Sequence, residues 1–290
     1  MYHAKVLADS VNPIGCRLIT IEVTFPRFIL AEVNTHRVFS RNSASSRAIP
    51  PEKIIEKVLD DPFVPETFNT RVKGMGVGEE VDPGKQISAR DAWLLASGQA
   101  VAFAERLLQL DIDKSRINRL LEPFMWHTVI ISSTEWDNFF ALRDNPSAQP
   151  EFQKTARLML EAMRASNPVH LAEGEWHMPL ITDFDIAAYG ARNREPMFLP
   201  MVSARRCARV SYDQHTEEES LKRSYGKAVE LRDAGHLSPF EHVARPAGPN
   251  DPPEALLSNF GGGWVQLRKL VPHEGNRVGY IEQRPTWTAV

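Results

Sequence analysis

The first clear pattern along the chain is an alternation of apolar and polar residues. Ile19, Ile21, Val23 and Phe25 alternate with threonine and glutamate. This period of two predicts a β-strand with one buried face. Pro26 follows at a position suited to the start of a helix, and the apolar residues after it predict a short helix.

Helical periodicity predicts further helices in the middle and late parts of the chain. They are expected at residues 52–59, from Ser88 and Asp91 to Leu110, from Asp113, after Ser132 and Glu135, from Pro150, and from Thr216 and Glu219 to Gly235. Met159 and Met163 fall on the apolar stripe of one of these helices, which predicts core positions for them. Residues 60–85 are rich in proline and glycine, which is typical of a loop or a flap.

The composition limits the classes of partner. The chain has 290 residues, of which 42% are hydrophobic and 24% charged, enough for one large globular domain or two modest ones. Thirty-four basic and thirty-seven acidic residues give a formal charge of -3. This balance argues against a whole-surface grip on polymeric nucleic acid, while a local cationic pocket for a small anionic ligand stays open.

The cysteines and the apolar runs predict a cytoplasmic protein. Cys16 and Cys207 form neither a disulfide framework nor a metal-ligand set, which suits a reducing compartment. No apolar run approaches the length of a membrane span, and the N-terminal residues lack the apolar core of a signal peptide. We therefore expect no membrane association.

An arginine-rich stretch from Thr35 to Arg47 is the first candidate for chemistry. It interleaves Arg37, Arg41 and Arg47 with five hydroxyl side chains, and no acidic residue occurs from Thr35 to Pro51. Guanidinium and hydroxyl groups are common ligands of phosphate, so the stretch predicts a phosphate site. A solvated polar loop is the alternative, but the strand and helix that precede the stretch favour a held site.

Arg143 is the second candidate. Trp136, Phe139, Phe140 and Arg143 recur at helical spacing, so the guanidinium is expected to project from an aromatic face. A cation in such a place needs a partner, which would be either a structural carboxylate or a ligand.

The third candidate is the 236–242 segment (HLSPFEH), which follows Gly235 at a predicted helix end. It brings two imidazoles, a hydroxyl and a carboxylate to one place. His170 and His177 have no cysteine or HExxH context, so we expect no metal site. The 261–263 triplet of glycines lacks the spacing of a dinucleotide-binding loop and is expected to be a turn.

The arginine-rich stretch resembles the signature R-H-R-x-x-S-x-N-E-x-S-x-R of the flavin-dependent thymidylate synthases. The matching residues are His36, Arg37, Ser40, Asn42, Ser45 and Arg47. Further matches are Arg119, Pro123, Thr128, Asn138, Leu142, Arg143, Ala148, Gln149 and Glu151. Residues 208–212 and the block from Gly235 to His242 are similar to motifs in the N-terminal part of that family.

The resemblance implies an α+β fold in which a mixed or antiparallel sheet is flanked by long helices. It also implies a single domain over residues 1–290. Residues 1–165 carry the signature and the helical part, and residues 200–290 resemble the family's N-terminal motifs. Because these parts stand in reversed order, we expect a circular permutation, which is tolerated where the original termini lie close together.

Several positions depart from the family pattern and leave the nucleotide and the product open. Thr35 replaces the first signature arginine, Ser43 replaces the glutamate, and Ala48 replaces an aromatic residue. Glu32 stands where glutamine is common, and Ser147 lies near a position that is often histidine.

The implied reaction is transfer of a one-carbon unit from methylenetetrahydrofolate to C5 of dUMP, with reduced FAD supplying hydride and NADPH regenerating it. Ser45, Ser46, Arg47 and Arg119 would bind the 5′-phosphate, with Arg119 from another protomer. Arg143 would bind the carbonyl edge of the base and stabilise the charge that develops as C5 attacks. The implied catalytic residues are Arg143, Ser45 and His236.

The implied FAD-binding residues are His36, Arg37, Val38, Asn138, Ser211, His236, Ser238 and Glu241. His236 would also be able to stack on the folate ring. Because the family's sites draw on several protomers, the resemblance implies a homotetramer with shared active sites. Neither Cys16 nor Cys207 has the setting of the nucleophile used by cysteine-dependent thymidylate synthases, so the flavin route is expected.

Three other functions stay open on the sequence. The same fold could act on dCMP or give a 5-hydroxymethyl product, and the changes at Thr35 and Ser43 motivate that alternative. A second alternative is a non-catalytic homologue that binds nucleotide or flavin. A metal hydrolase built on His236, Glu241 and His242 has the least support, since their spacing fits no ligand pattern that we can justify.

Overall fold

A computed structural model of the protein describes residues 1–74, 76–190, 195–209, 220–272 and 274. Its strands are β1 (His3–Val11), β2 (Arg17–Pro26), β3 (Ser40–Ser43), β4 (Trp126–Ser133), β5 (Val169–His170), β6 (Ala244–Pro246) and β7 (Trp264–Gln266). Its α-helices are α1 (Leu30–Val33), α2 (Pro51–Asp60), α3 (Pro83–Gln109), α4 (Lys114–Leu121), α5 (Asp137–Arg143), α6 (Pro150–Arg164), α7 (Asp183–Gly190), α8 (Phe198–Arg209) and α9 (Leu221–Asp233). Short 3-10 turns lie at Arg27–Ile29, Glu122–Phe124, Ser238–Glu241, Pro253–Leu256 and Leu267–Leu270.

In the described part of the chain, five strands form one mixed sheet in the order β3-β4-β2-β1-β5. Neighbouring strands run antiparallel, except that β1 and β5 pair in parallel. β6 and β7 form a separate antiparallel pair. The expected α+β fold with a mixed sheet and flanking helices is confirmed. The permuted order and the single domain stay predictions.

The strand predicted from the alternating pattern is β2, and its apolar face builds the main core. Ile19, Ile21, Val23 and Phe25 are all buried, as expected for a strand with one face turned inward. The same cluster contains Val129, Ile131, Phe139, Phe152, Met159 and Met163. Full burial of such a side chain contributes about 2 kcal/mol relative to leaving it exposed. The core positions predicted for both methionines are confirmed.

The sequence pattern does not predict β3 and β4. β4 is a central strand whose last residues are buried on both faces, so apolar and polar positions do not alternate along it. β3 consists of four polar residues that become a strand only by pairing with β4, with Ser40 opposite Ser132 and Asn42 opposite Ile130. The arginine-rich stretch therefore enters the sheet through a long-range pairing that carries no local signal.

The long helix α3 begins earlier than predicted. Its first residue is Pro83, and Asp82 caps it by accepting a hydrogen bond at 3.1 Å from the backbone nitrogen of Lys85. Aspartate before proline is itself a strong helix-start signal, and it outweighs the capping pair proposed at Ser88 and Asp91. The helices predicted at 52–59, from Asp113 and from Pro150 are confirmed as α2, α4 and α6.

The capping box predicted before α5 is wrong. Ser132 lies in β4, and α5 begins two residues after Glu135 without a side-chain cap. Ser220 caps α9 by accepting from a backbone nitrogen in its first turn. The cap predicted for that helix at Thr216 and Glu219 lies outside the described residues.

The expected turn of three glycines is confirmed and closes against the connection between β1 and β2. Gly262 and Gly263 have φ angles of 64° and 76°, a region that glycine adopts without strain. Asn12 Nδ2 donates to the Gly262 oxygen at 2.6 Å. A Cβ on Gly262 would lie 2.3 Å from Cys16 Sγ, so this position requires glycine.

Candidate active site

The arginine-rich stretch leaves α1 as a turn, forms β3 and ends in a loop before α2. Arg41 anchors the stretch, because its Nη1 donates to the backbone oxygens of Val33 at 3.0 Å and His36 at 3.1 Å. Burial lowers the pKa of this guanidinium. Arg37 and Arg47, by contrast, are exposed. The three arginines thus divide into one structural anchor and two cations that face solvent.

His36 of the stretch forms a hydrogen bond with Arg143 of α5. Arg143 Nε donates to His36 Nε2 at 2.9 Å. Burial, together with the charges of Arg143 and Arg41, lowers the pKa of His36 to about 4. The imidazole is therefore neutral near pH 7, and it carries its proton on Nδ1 because Nε2 accepts from the arginine.

The guanidinium of Arg143 is held on two further sides. Its Nη2 donates to Thr35 Oγ1 at 3.4 Å, and its carbon lies 4.6 Å from the centroid of the Phe152 ring. No carboxylate in the described ranges forms an ion pair with Arg143. The partner that this cation needs is thus a neutral imidazole and an aromatic face.

Aromatic rings surround His36 and explain its burial. The ring stacks on Phe39 at a centroid distance of 5.7 Å and meets Phe139 edge to face at 5.0 Å. The predicted aromatic face of α5 thus lies against the turn that carries His36. A buried neutral histidine in such a cage keeps one orientation, which in turn fixes Arg143.

The arginine-rich stretch and the 236–242 segment meet in the structure. Ser238 Oγ donates to Asn42 Oδ1 at 3.2 Å, across nearly two hundred residues of sequence. Asn42 Nδ2 donates to the backbone oxygen of Cys207 in α8 at 3.0 Å. The asparagine of the signature therefore joins β3 both to the 3-10 turn of the 236–242 segment and to a helix of the C-terminal part.

A second set of contacts supports the same junction. Gln266 Nε2 donates to Ser40 Oγ at 3.1 Å and to the backbone oxygen of Glu241 at 3.0 Å. The Glu241 carboxylate pairs with Arg268, whose Nε also donates to Glu274 at 2.5 Å. Glu241 is thus a held carboxylate rather than a freely turning one.

The two imidazoles of the 236–242 segment have different environments. His236 is exposed, whereas His242 is fully buried. His242 Nδ1 is 2.8 Å from Ser132 Oγ, which is 2.6 Å from Thr20 Oγ1. Thr20 Oγ1 also forms a hydrogen bond with His177 Nε2 at 2.8 Å. His177 Nδ1 forms one with Ser10 Oγ at 2.9 Å. Burial lowers the pKa of both histidines to about 3.

The residues predicted to bind phosphate differ in their freedom. Ser46 Oγ accepts from Arg27 Nη2 at 3.1 Å and donates to the Glu122 carboxylate, so its proton is already used. Ser45 and Arg47 are exposed, and the Arg47 backbone nitrogen donates to Ser45 Oγ at 3.2 Å. Ser45 and Arg47 are therefore the members of the trio that are open to a ligand.

The loop around Ser45 borders a cavity of about 370 Å³. Residues that line it include Thr24, Arg27, Ser45, Ser46, His127 and Thr128. Asn118 Nδ2 donates to the Ser46 backbone oxygen at 2.8 Å and so ties α4 to this loop. Arg119 follows Asn118 and is exposed.

The other predicted cofactor-binding residues lie at the surface. Arg37, Val38, Asn138 and His236 are exposed, Val38 at 43%. Ser211 lies outside the described residues.

Sequence reasoning does not find the residues that join the parts of the site. No binding or catalytic motif contains Thr20, Ser132, His177 or Gln266, and each meets its partner across a hundred residues or more in at least one contact. Only the polar character of positions in or beside apolar strands hints at Thr20 and Ser132.

Two features of the described residues bear on other classes of site. No helix found there combines the length and the apolar character needed to cross a bilayer. In the same ranges, no group of three or more histidine, cysteine, aspartate and glutamate side chains is arranged to hold a metal ion.

Comparison with known proteins gives one family. The family model described as "thymidylate synthase complementing protein" matches residues 12–169, more than half of the chain. Similar solved structures include those of a UMP/dUMP methylase, PolB, from Streptomyces cacaoi, bound with 5-Br UMP or 5-Br dUMP. They are 15% identical, cover 56% of this chain and 88% and 90% of their own, and have TM-scores of 0.47 and 0.46. No curated protein matches the sequence.

The family match makes the protein a thymidylate synthase-like methyltransferase, an enzyme class that methylates nucleotides at C5. The chain belongs to the thymidylate synthase complementing protein family. The non-catalytic alternative is therefore set aside.

Proposed function

We propose that the protein converts dUMP to dTMP, with methylenetetrahydrofolate as one-carbon donor, reduced FAD as hydride source and NADPH as reductant. The observation that carries this proposal is the hydrogen bond between Ser238 and Asn42. It brings the two segments that resemble the flavin-binding motifs of the family to one place. Family membership supports the reaction class.

The residues around this junction fit a flavin cofactor. Arg37 and His236 are exposed, and within the described part of the chain their side chains have no hydrogen-bond partner. Together with His36, Val38, Asn138, Ser211, Ser238 and Glu241, they would hold FAD. A flavin bound there would supply the hydride that turns the transferred one-carbon unit into a methyl group.

The nucleotide would lie between Arg143 and the phosphate-binding loop. Ser45 and Arg47 would bind the 5′-phosphate with Arg119 from another protomer. The Ser46 hydroxyl, whose proton is bonded to Glu122, would shape the loop. Arg143 would donate to the base carbonyl edge and stabilise the negative charge that develops there. Loss of such a donor typically raises the barrier by about 3 kcal/mol.

The cysteines support a route without a protein nucleophile. Cys207 is fully buried, and burial raises the pKa of its thiol to about 12. Burial also raises the pKa of Cys16. Since a thiolate, not a thiol, adds to a pyrimidine ring, neither side chain is prepared for covalent catalysis.

The purified protein tests the proposal directly. Flavin absorbance should be present or should appear after reconstitution with FAD, and reduced enzyme with methylenetetrahydrofolate should give dTMP from dUMP by mass spectrometry. Arg143→Ala should lower the rate about a hundredfold. Arg90→Ala, an exposed arginine in α3, serves as the matched control and should leave it unchanged. A flavin-loaded protein that methylates neither dUMP nor dCMP would refute the proposal.

One observation favours dCMP as a second candidate substrate. Glu32 Oε2 is buried and has no hydrogen-bond partner in the described ranges. A carboxylate accepts from the N4 amino group of cytosine but has no proton for the O4 of uracil. Parallel incubations with dUMP and dCMP decide between them, and Glu32→Gln should shift the preference towards dUMP if Glu32 reads the base.

A further inference from the structure

We propose that Thr35 and His36 are positioning residues that fix the orientation of Arg143 for the base. Thr35 then has a role of its own at a position where the family signature has arginine. This inference rests on the proposed function, in which Arg143 binds the base.

The two hydrogen bonds of the Thr35 hydroxyl define its role. Thr35 Oγ1 donates to the backbone oxygen of Glu32 at 2.6 Å. A hydroxyl has one proton, so this bond leaves Oγ1 as an acceptor towards Arg143 Nη2. An arginine at this position would offer no acceptor and would place a second cation beside the first. Threonine therefore supplies the hydrogen-bond acceptor that Nη2 of the Arg143 guanidinium needs.

His36 fixes the other end of the same guanidinium. Its Nε2 accepts from Arg143 Nε at 2.9 Å, and the ring is clamped between Phe39 and Phe139. The imidazole must be neutral to accept this bond. Its burial between aromatic rings favours that neutral form.

These contacts leave both N–H groups of Nη1 for a ligand, with one further N–H on Nη2. Nε bonds to His36, Nη2 reaches Thr35, and one face of the plane lies over Phe152. Within the part of the chain that the structure describes, Nη1 has no hydrogen-bond partner. The guanidinium is thus fixed on three sides, with Nη1 presented as the donor to a carbonyl oxygen of the nucleotide. Fixing a donor before the ligand arrives improves its alignment in the transition state.

A double-mutant cycle tests the coupling. Thr35→Val and His36→Leu should each lower kcat about tenfold with little change in KM, while Thr35→Ser and His36→Gln, which restore an acceptor, should recover most of the rate. In an Arg143→Ala background, Thr35→Val should have no further effect. An equal loss in both backgrounds, or no recovery with the conservative variants at unchanged thermal stability, would overturn the proposal.

Nuclear magnetic resonance separates this inference from the proposed reaction. In the nitrogen-15 labelled protein, His36 should show the neutral Nδ1–H tautomer, and Arg143 Nε–H should exchange slowly with water. His36→Leu should abolish that protection, whereas His36→Gln should retain it. If these signals hold but no nucleotide is methylated, the function fails and the positioning stands. If Arg143 Nε–H exchanges freely in the native protein, the positioning fails regardless of activity.

Discussion

At the scale of single residues, the buried hydrogen-bond chain from Ser10 to His242 has two possible directions. Each of Ser10, Thr20 and Ser132 has one hydroxyl proton, and each neutral imidazole has one N–H. The bonds along the chain can therefore all run towards His242 or all run away from it. His242 Nε2 ends the chain and has no partner in the described ranges. It is a protonated donor when the bonds run towards His242 and an acceptor when they run away from it.

Acid should destabilise the protein through its buried histidines. The pKa of His177 and of His242 is lowered from about 6.5 in the unfolded chain to about 3 in the fold. Between these values the unfolded state binds more protons, so the free energy of unfolding falls as the pH falls below about 6.5. Each histidine contributes a slope of up to about 1.4 kcal/mol per pH unit.

Urea unfolding at a series of pH values between about 7 and 5 measures this slope. His242→Gln should flatten it, because glutamine does not titrate. His3→Gln is the control, because the His3 side chain is 54% exposed and removing it leaves the buried histidines in place. A slope that is the same in all three proteins would contradict the assignment.

Two threonines on β2 offer a matched test of the same chain. Thr20→Val removes a buried hydroxyl. It leaves His177 Nε2 without its partner and Ser132 Oγ with His242 alone, so we expect a loss of about 2 kcal/mol. Thr24 forms a similar bond to Thr128 at 2.8 Å, but it is only half-buried, and water can replace it. Thr24→Val should cost less than about 1 kcal/mol, and chemical denaturation compares the two variants.

At the scale of elements, the turn of three glycines connects the β1–β2 end of the sheet with β7. Gly262→Ala combines a positive φ with a Cβ only 2.3 Å from Cys16 Sγ. We expect a loss of about 2 kcal/mol, measured by thermal unfolding. Gly98→Ala is the control of opposite sign, because its Cβ would meet nothing within 4 Å in α3 and should stabilise the helix by up to about 1 kcal/mol. Equal effects of the two changes would contradict this view of the turn.

Local sequence signals predict the elements that depend on local chemistry. β2 follows from alternation, and α2, α4 and α6 follow from periodicity with caps or proline at the first turn. β3 and β4 are missed because a polar edge strand and a doubly buried central strand show no alternation. The box at Ser132 and Glu135 fails because a local capping pattern competes with strand pairing, and the sheet provides more buried contacts.

The candidate site is predictable only where side chains act through their own chemistry. Composition predicts the cationic character of the arginine-rich stretch, and helical spacing predicts the aromatic face of α5 that carries Arg143. The neutral partner of Arg143 does not, because nothing in the local sequence of His36 indicates that it will be buried among rings from α5 and α6. The special positions of Asn42 and Gln266 depend likewise on contacts far apart in sequence.

At the scale of the whole molecule, the proposed tetramer implies that Arg119 and Arg143 of one site come from different protomers. If Arg119 comes from a neighbouring chain, Arg119→Ala and Arg143→Ala should each have a strongly reduced rate alone. Mixing the two after gentle dissociation should return part of the activity, because some sites then contain both native arginines. Each variant mixed with itself is the control. No recovery in verified mixed oligomers would mean that both arginines act within one chain.

Asn42 has a consequence for the order of events during synthesis. Its side-chain nitrogen and oxygen bond to the carbonyl of Cys207 and to Ser238, and both of these residues leave the ribosome long after β3 itself. The nascent sheet can form as soon as β4 has emerged, yet its edge then offers an unsatisfied amide. The part of the chain that matches the family would thus be folded but without a finished pocket until the last helices arrive and close it.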